Sequence, residues 1–257
     1  MRVYLGFDDT DDRDAVMGTG RLVREFGGKL PGASTLVGIV RHQLPRLESI
    51  PYTSNNSSAC AIIDLDPECT LETLRDRAVA HLDALCAPGS DPGLCLAPET
   101  AVTGDMVAFG RQATGVRLTQ QQAMDTARSV ELYGLGGTND GIIGALAAVG
   151  LTKHGWCGRF IEYGRLRDLP PALSVRELND AGIAVVSVDR DPLVPLPDDA
   201  ITDAAWLRPS LWDGRPVLQV KRLADGVWTP AHGKRGRHNA PGAHPEKPSA
   251  TLSCSAR

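Results

Sequence analysis

Four aspartates, Asp8, Asp9, Asp11 and Asp12, fall within five residues directly behind an apolar run that ends Val3-Tyr4-Leu5-Gly6-Phe7. The run from Arg2 to Phe7 is predicted to be a strand, so the carboxylates arrive together at its carboxyl end. Carboxylates this close repel one another, and the arrangement is tolerable only where a cation offsets it or where all of them face bulk water. Mg²⁺ takes one or two carboxylates together with phosphate oxygens and waters, and open α/β sheets collect ligands at the carboxyl ends of their strands. Taken alone, the run fits either a metal–nucleotide site or a solvated acidic turn. Its place behind a strand, with Met17-Gly18-Thr19-Gly20 following, favours the metal–nucleotide site.

That glycine-flanked segment opens a predicted helix carrying Leu22, Val23 and Phe26. Backbone amides and the helix dipole at such an N-terminus hold phosphate, which makes Thr19 a candidate phosphate-handling residue. Thr19 also fits as the helix N-cap, and the two roles are compatible. The candidate metal–nucleotide site thus comprises Asp8, Asp9, Thr10, Asp11 and Asp12 together with Gly18, Thr19 and Gly20.

Farther along, Thr35 to Val40 and Ala59 to Leu65 have the β-branched content of buried strands. Thr70 to Leu85 has an apolar stripe at helical spacing, with Thr70 as N-cap. Ala87 to Pro98, rich in proline and glycine, reads as a loop, and Thr119 to Val130 as a polar-faced helix. Gly134 to Gly141 is a glycine-rich loop feeding a helix of small residues. It can cradle phosphate through backbone amides, with Asn139 and Asp140 as polar participants, or it can serve close helix packing. Strands are expected at Arg159–Tyr163, Ala184–Asp189 and Val217–Val220. The fold class is α/β (α+β). The expected units are residues 1–152, a smaller αβ domain at 153–228, and a disordered basic tail at 229–257 holding His232, Lys234, Arg235, Arg237, His238, His244 and Lys247.

Arg41 and His42 follow a buried strand and so reach the same kind of strand end as the aspartates. Arg41 is the stronger candidate for the nucleotide site. Tyr52 either stacks on a base or packs under its loop. His81 and His154 have no partner at metal-ligand spacing and are expected at the surface. Cys60, Cys69, Cys86, Cys95, Cys157 and Cys254 form no close pair, which argues for reduced thiols over a zinc site. A net charge of −4 excludes a surface-wide basic field, though not a local one. No apolar run approaches membrane-spanning length and no leader pattern opens the chain, so the expected location is the cytoplasm.

Several segments, in order, resemble the isoleucine-tRNA 2-agmatinylcytidine synthetase family: Gly6-Phe7-Asp8-Asp9-Thr10-Asp11, Met17-Gly18-Thr19, Ile50-Pro51-Tyr52-Thr53, Asp91-Pro92-Gly93, and Gly141 to Gly150. The resemblance spans about the first 150 residues and thins after 160. It implies a kinase-like N-terminal domain followed by a ferredoxin-like domain, in a shortened relative without the family's OB and zinc-ribbon modules. It also implies ATP and Mg²⁺, phosphorylation of a cytidine carbonyl oxygen, and displacement of the phosphate by agmatine. Asp8, Asp9 and Asp11 would then hold Mg²⁺–ATP, and Thr19 would carry phosphate. The basic residues that the family has after the match to Tyr52 are replaced by Thr53-Ser54-Asn55-Asn56-Ser57, so Arg13, Arg41 or Arg46 must supply positive charge, or the acceptor differs. The expected function is an ATP-dependent ligase acting on tRNA. The alternatives are a kinase or ligase acting on a small molecule, and a nucleotide-binding module without turnover.

Overall fold

The computed structural model describes residues 1–50, 55–188 and 194–232. The apolar run ahead of the aspartates forms β1 (Arg2–Asp8), in which Val3, Leu5 and Phe7 are fully buried. β1 lies between β3 (Ser57–Asp64) and β4 (Gly93–Pro98), antiparallel to both. β2 (Thr35–Gln43) is antiparallel to β3. β1 and β2 therefore run in the same direction, and their carboxyl ends share one edge of the sheet. The expected carboxyl-end placement of the aspartates holds, but the edge also contains the starts of β3 and β4.

Because β-strand side chains alternate between faces, β1 serves two cores. Val3, Leu5 and Phe7 pack with Leu22, Val23 and Phe26 of α1 (Thr19–Gly27) and with Leu74, Ala78 and Leu82 of α2 (Leu71–Leu85). Tyr4 faces the other way, toward Met106 and Phe109 of α3 (Gly104–Ala113) and Leu146 to Val149 of α5 (Gly141–His154). Each large side chain so buried contributes about 1.5–3 kcal/mol relative to exposure. The helices thus cover both faces of the sheet. The expected helix start at Thr70 is observed, since its side chain accepts from the Thr73 amide at 3.1 Å.

Among the described residues the strands join in one sheet of twelve. β5 (Glu131–Gly134) is outermost beside β4, and β6 (Arg159–Tyr163) pairs with β2. Beyond β6 come β10 (Ser210–Trp212), β11 (Arg215–Ala224), β12 (Val227–Pro230), β9 (Ala200–Ile201) and β7 (Leu173–Ser174), with β8 (Ala184–Ser187) parallel to β11. The class is the mixed α/β one expected. The smaller αβ unit has its own core of Leu166, Leu178, Ile201, Val220 and Trp228. It carries one α-helix among its described residues, α6 (Val175–Asp180), where a ferredoxin-like repeat has two.

Several expectations need correction. A boundary at 152/153 would cut α5, and β6 beyond it belongs with β2, so the change of core falls after Tyr163. The segment expected as a loop to Pro98 contains β4, whose Leu94 to Ala97 are fully buried. The helix expected at 119–130 is shorter, α4 (Gln120–Thr126), started by a capping box between Thr119 and Gln122. His81, expected at the surface, is buried: Nε2 donates to the Leu22 carbonyl at 3.0 Å and its ring lies 5.4 Å from Phe26. The tail does not begin at 229, because β12 includes Thr229 and Pro230. Residues 233–257 lie outside the described residues, as do Tyr52 and Thr53. Among the described residues no helix is long and apolar enough to cross a membrane.

Candidate functional site: a cleft with an acidic and a basic half

At the shared edge, a cleft of about 480 Å³ is lined by six carboxylates: Asp8, Asp9, Asp11, Asp12, Asp91 and Asp140. Leu44, Leu118 and Ile143 form apolar wall, and Arg13 and Arg117 also line it. Asp8 ends β1 under α5, where a Cβ on Gly144 would fall 1.8 Å from Asp8 Oδ2. The helix can therefore cross the carboxylate only because it has no side chain there. Asp9 turns the chain with φ +51°, a conformation aspartate tolerates better than most side chains.

Burial, together with Asp9 and Asp11, pushes the Asp8 carboxyl up to about 8. Burial, with the charges of Asp91, Asp11 and Asp140, raises Asp9 to about 6. Asp11 is raised by burial and by Asp12, with Arg41 pulling the other way. The three more peripheral acids are held by neutral donors. Asp12 accepts from the Asp14 and Gly89 amides at 3.0 and 3.2 Å. Asp91 accepts from the amide of Thr138 at 3.0 Å and from its hydroxyl. Asp140 accepts from Gln120 Nε2 at 2.5 Å. Among the described residues, Asp8, Asp9 and Asp11 have no ion pair.

No three His, Cys, Asp or Glu side chains among the described residues are pre-set as a metal cage. An all-oxygen set with unpaired, partly buried carboxylates still suits Mg²⁺, which keeps waters and takes few protein ligands.

Thr10 and Thr19 meet beneath this cluster, with Thr10 Oγ1 donating to Thr19 Oγ1 at 3.0 Å, both side chains buried. The N-cap of α1 is Gly18, without a side-chain cap bond. The Thr19 hydroxyl is therefore not used in capping, contrary to one of its two expected roles. Thr19, Asp11, Asn55 and Ser57 form the seam with a second, larger hollow of about 920 Å³. Five arginines line that half: Arg21, Arg24, Arg41, Arg159 and Arg208. Arg41 Nε donates to Ser57 Oγ at 3.0 Å, which fixes its guanidinium at the seam.

The fold brings Asp8, Asp9, Asp11, Asp12, Thr19 and Asp140 together in the acidic half, with Thr10 beneath, and places Gly18, Gly20 and Arg41 in the basic half. Asn139 does not join them. It sits at φ +65°, with its side chain against Gly134, so its role is to shape the loop. His42 is also a core residue, fully buried with Nε2 2.8 Å from Thr152 Oγ1. Sequence reasoning missed Asp91, although Asp91-Pro92-Gly93 was among the family-like segments, because a Pro-Gly turn explains itself without a ligand. It also missed Arg21, Arg24, Arg159 and Arg208, which come from α1, β6 and the segment before β10 and converge only in the fold.

No protein-family model and no curated protein matches the chain. Solved structures do match. A tRNA fluorescent labelling enzyme aligns with a TM-score of 0.50 at 24% identity, covering 58% of this chain and 36% of that one. A complex of tRNAIle2 agmatidine synthetase with tRNAIle2 and ATP aligns with a TM-score of 0.50 at 23% identity, again over 58% and 36%. The matched part thus amounts to little more than a third of those proteins' length. Over that part, the chain shares the fold of the tRNAIle2 agmatidine synthetase structures, in keeping with the resemblance of its sequence motifs.

Proposed function

We propose that the protein is an ATP- and Mg²⁺-dependent ligase that phosphorylates a carbonyl oxygen and lets an amine displace the phosphate. The observation that carries this reading is the juxtaposition of the unpaired, partly buried carboxylates of Asp8, Asp9 and Asp11 with Thr19 at the start of α1. Carboxylates so placed need a cation, and the first amides of a helix favour phosphate. The shared fold and the family-like motifs support the same reading.

Asp8, Asp9 and Asp11 would hold Mg²⁺ through their carboxylate oxygens, and the bound ion would neutralise charge building on the transferred phosphoryl group. Thr19 holds the phosphoryl end at the seam. Asp12, tied to the Asp14 and Gly89 amides, keeps the aspartate turn in place. The acceptor oxygen bonds to the γ-phosphorus as the bond to the bridging oxygen breaks, releasing ADP. The amine nitrogen then bonds to the activated carbon, orthophosphate leaves, and the nitrogen gives up a proton. Catalysis of this kind rests on positioning and charge neutralisation, not on a protein nucleophile. Agmatine is the amine that the motifs suggest, and the acceptor is tRNA or a smaller carbonyl compound.

The test is incubation of the full chain with Mg²⁺, γ-labelled ATP, agmatine and total RNA, following ADP, orthophosphate and agmatine joined to RNA. ADP release that Asp8→Asn reduces by at least about a hundredfold supports the reading. Intact ATP binding with no turnover under any combination would instead identify a binding module.

A further inference from the structure

The basic half of the cleft has no role in holding the carboxylate-bound cation, and its composition poses the converse problem to that of the acidic half. Arg24, Arg41, Arg159 and Arg208 line one hollow, and among the described residues none of them forms an ion pair. Arg21 alone of the five is paired, with Glu25 at 3.0 Å. Asp11, at the seam, is the one carboxylate among the hollow's lining residues. Unpaired guanidinium groups gathered at a partly desolvated surface repel one another and favour an anion. Two of them, Arg208 and Arg41, are held in place. Arg208 lies over the Trp206 ring at 4.6 Å, with Arg167 also against that ring at 4.4 Å. Arg41 is held by Ser57. Arg159 projects from β6, where it pairs with Arg41 of β2 in the sheet register. A planar guanidinium fixed by stacking or by a hydrogen bond is pre-organised to grip phosphate oxygens two at a time.

We infer that the basic half is a second anion site, in which Arg24, Arg41, Arg159 and Arg208 bind phosphate groups of the acceptor substrate and present its reacting atom at the seam beside Thr19. This rests on the reading of the acidic half as the nucleotide site. The phosphates can belong to a nucleic-acid strand or to a small phosphorylated compound.

Fluorescence anisotropy of a labelled, mixed-sequence single-stranded RNA, with inorganic pyrophosphate as competitor, tests the site. Arg159→Gln and Arg208→Gln are each expected to weaken RNA binding about tenfold and to lower the salt-dependence slope by about 0.7, the value for one lost phosphate contact on a single strand. Calorimetrically measured affinity for Mg²⁺–ATP should stay unchanged. Arg208→Lys, which keeps charge without the planar fork, should retain part of the binding and reports on folding. Arg128→Gln, at an exposed ion pair far along the chain, should have no effect. If pyrophosphate binds with the same arginine dependence but RNA binds no tighter, the acceptor is a small phosphorylated compound and the site stands. Two results overturn it: RNA and pyrophosphate affinities indifferent to both substitutions, or loss of ATP affinity in parallel, which would make the arginines part of the nucleotide site. Failure of the nucleotide reading itself would appear separately, as absence of Mg²⁺-dependent ATP binding in the unaltered chain.

Discussion

Asp8 concentrates the tension between stability and function. Its carboxyl is raised by burial to about 8, so in the absence of a cation the native state pays for keeping it protonated or charged. Asp8→Asn removes that cost while preserving shape. It is expected to stabilise the ligand-free protein by about 1–3 kcal/mol at pH 7, read from urea unfolding, while abolishing turnover. An unchanged or lower stability would mean that the carboxylate is already satisfied. His42 offers a pH test away from the site. Burial holds its imidazole down to about 3, against about 6.5 for the unfolded chain, so the folded state keeps it neutral. Its contribution to stability is complete above about pH 6.5 and is lost as pH falls below that value, at up to about 1.4 kcal/mol per unit. Asp8 and Asp9, raised in the fold, act in the opposite sense, so the slope must be read as a difference. The His42→Asn variant is expected to lose less stability than the unaltered protein between pH 6.5 and 5, and equal losses would contradict the burial of a neutral ring. The aspartate cluster and Thr19 were legible because adjacent like charges and flanking glycines are anomalous in any short window. His42 and His81 were not, since their partners Thr152 and Leu22 are far away in sequence.

Among the elements, α5 decides the geometry of the acidic half. A Cβ on Gly6 of β1 would lie 2.1 Å from the Ala145 carbonyl oxygen, backbone that cannot step aside. Gly6→Ala should therefore cost about 2–4 kcal/mol through displacement of helix from strand. Gly104→Ala, with nothing within 4 Å of the new atom, should be neutral or stabilise by up to about 1 kcal/mol. Thermal unfolding of the two variants side by side checks both, and equal effects would argue against the close approach of α5 to β1. The small-residue character of α5 was readable as a packing surface. β4 was hidden because Pro92-Gly93 and Pro98 bracket it and mimic a loop, although its apolar run Leu94 to Ala97 is what a strand buried on both faces requires. α3 escaped notice because Gly104 and Gly110 lower its propensity, while tertiary packing of Met106 and Phe109 supplies the stability that local preference does not.

For the molecule as a whole, the antiparallel arrangement of β1, β3 and β2 brings two like-directed strand ends to one edge. It sets an acidic hollow and a basic hollow on either side of Thr19, in a chain of net charge −4. Bulk charge conceals this segregation, because arginines from α1, β2, β6 and the segment before β10 assemble only in three dimensions. The acidic half was therefore accessible to sequence reasoning, whereas of the basic half only Arg41 and the glycines flanking Thr19 were. The most direct measurement is calorimetric titration of ATP into the unaltered protein and into Asp8→Asn, with Mg²⁺ present and with Mg²⁺ removed by chelation. Binding that needs Mg²⁺ in the unaltered protein, and that falls to the chelated level in Asp8→Asn even when Mg²⁺ is supplied, is the expected result. ATP affinity indifferent both to Mg²⁺ and to the loss of the Asp8 charge would contradict the assignment of this cleft as a metal–nucleotide site.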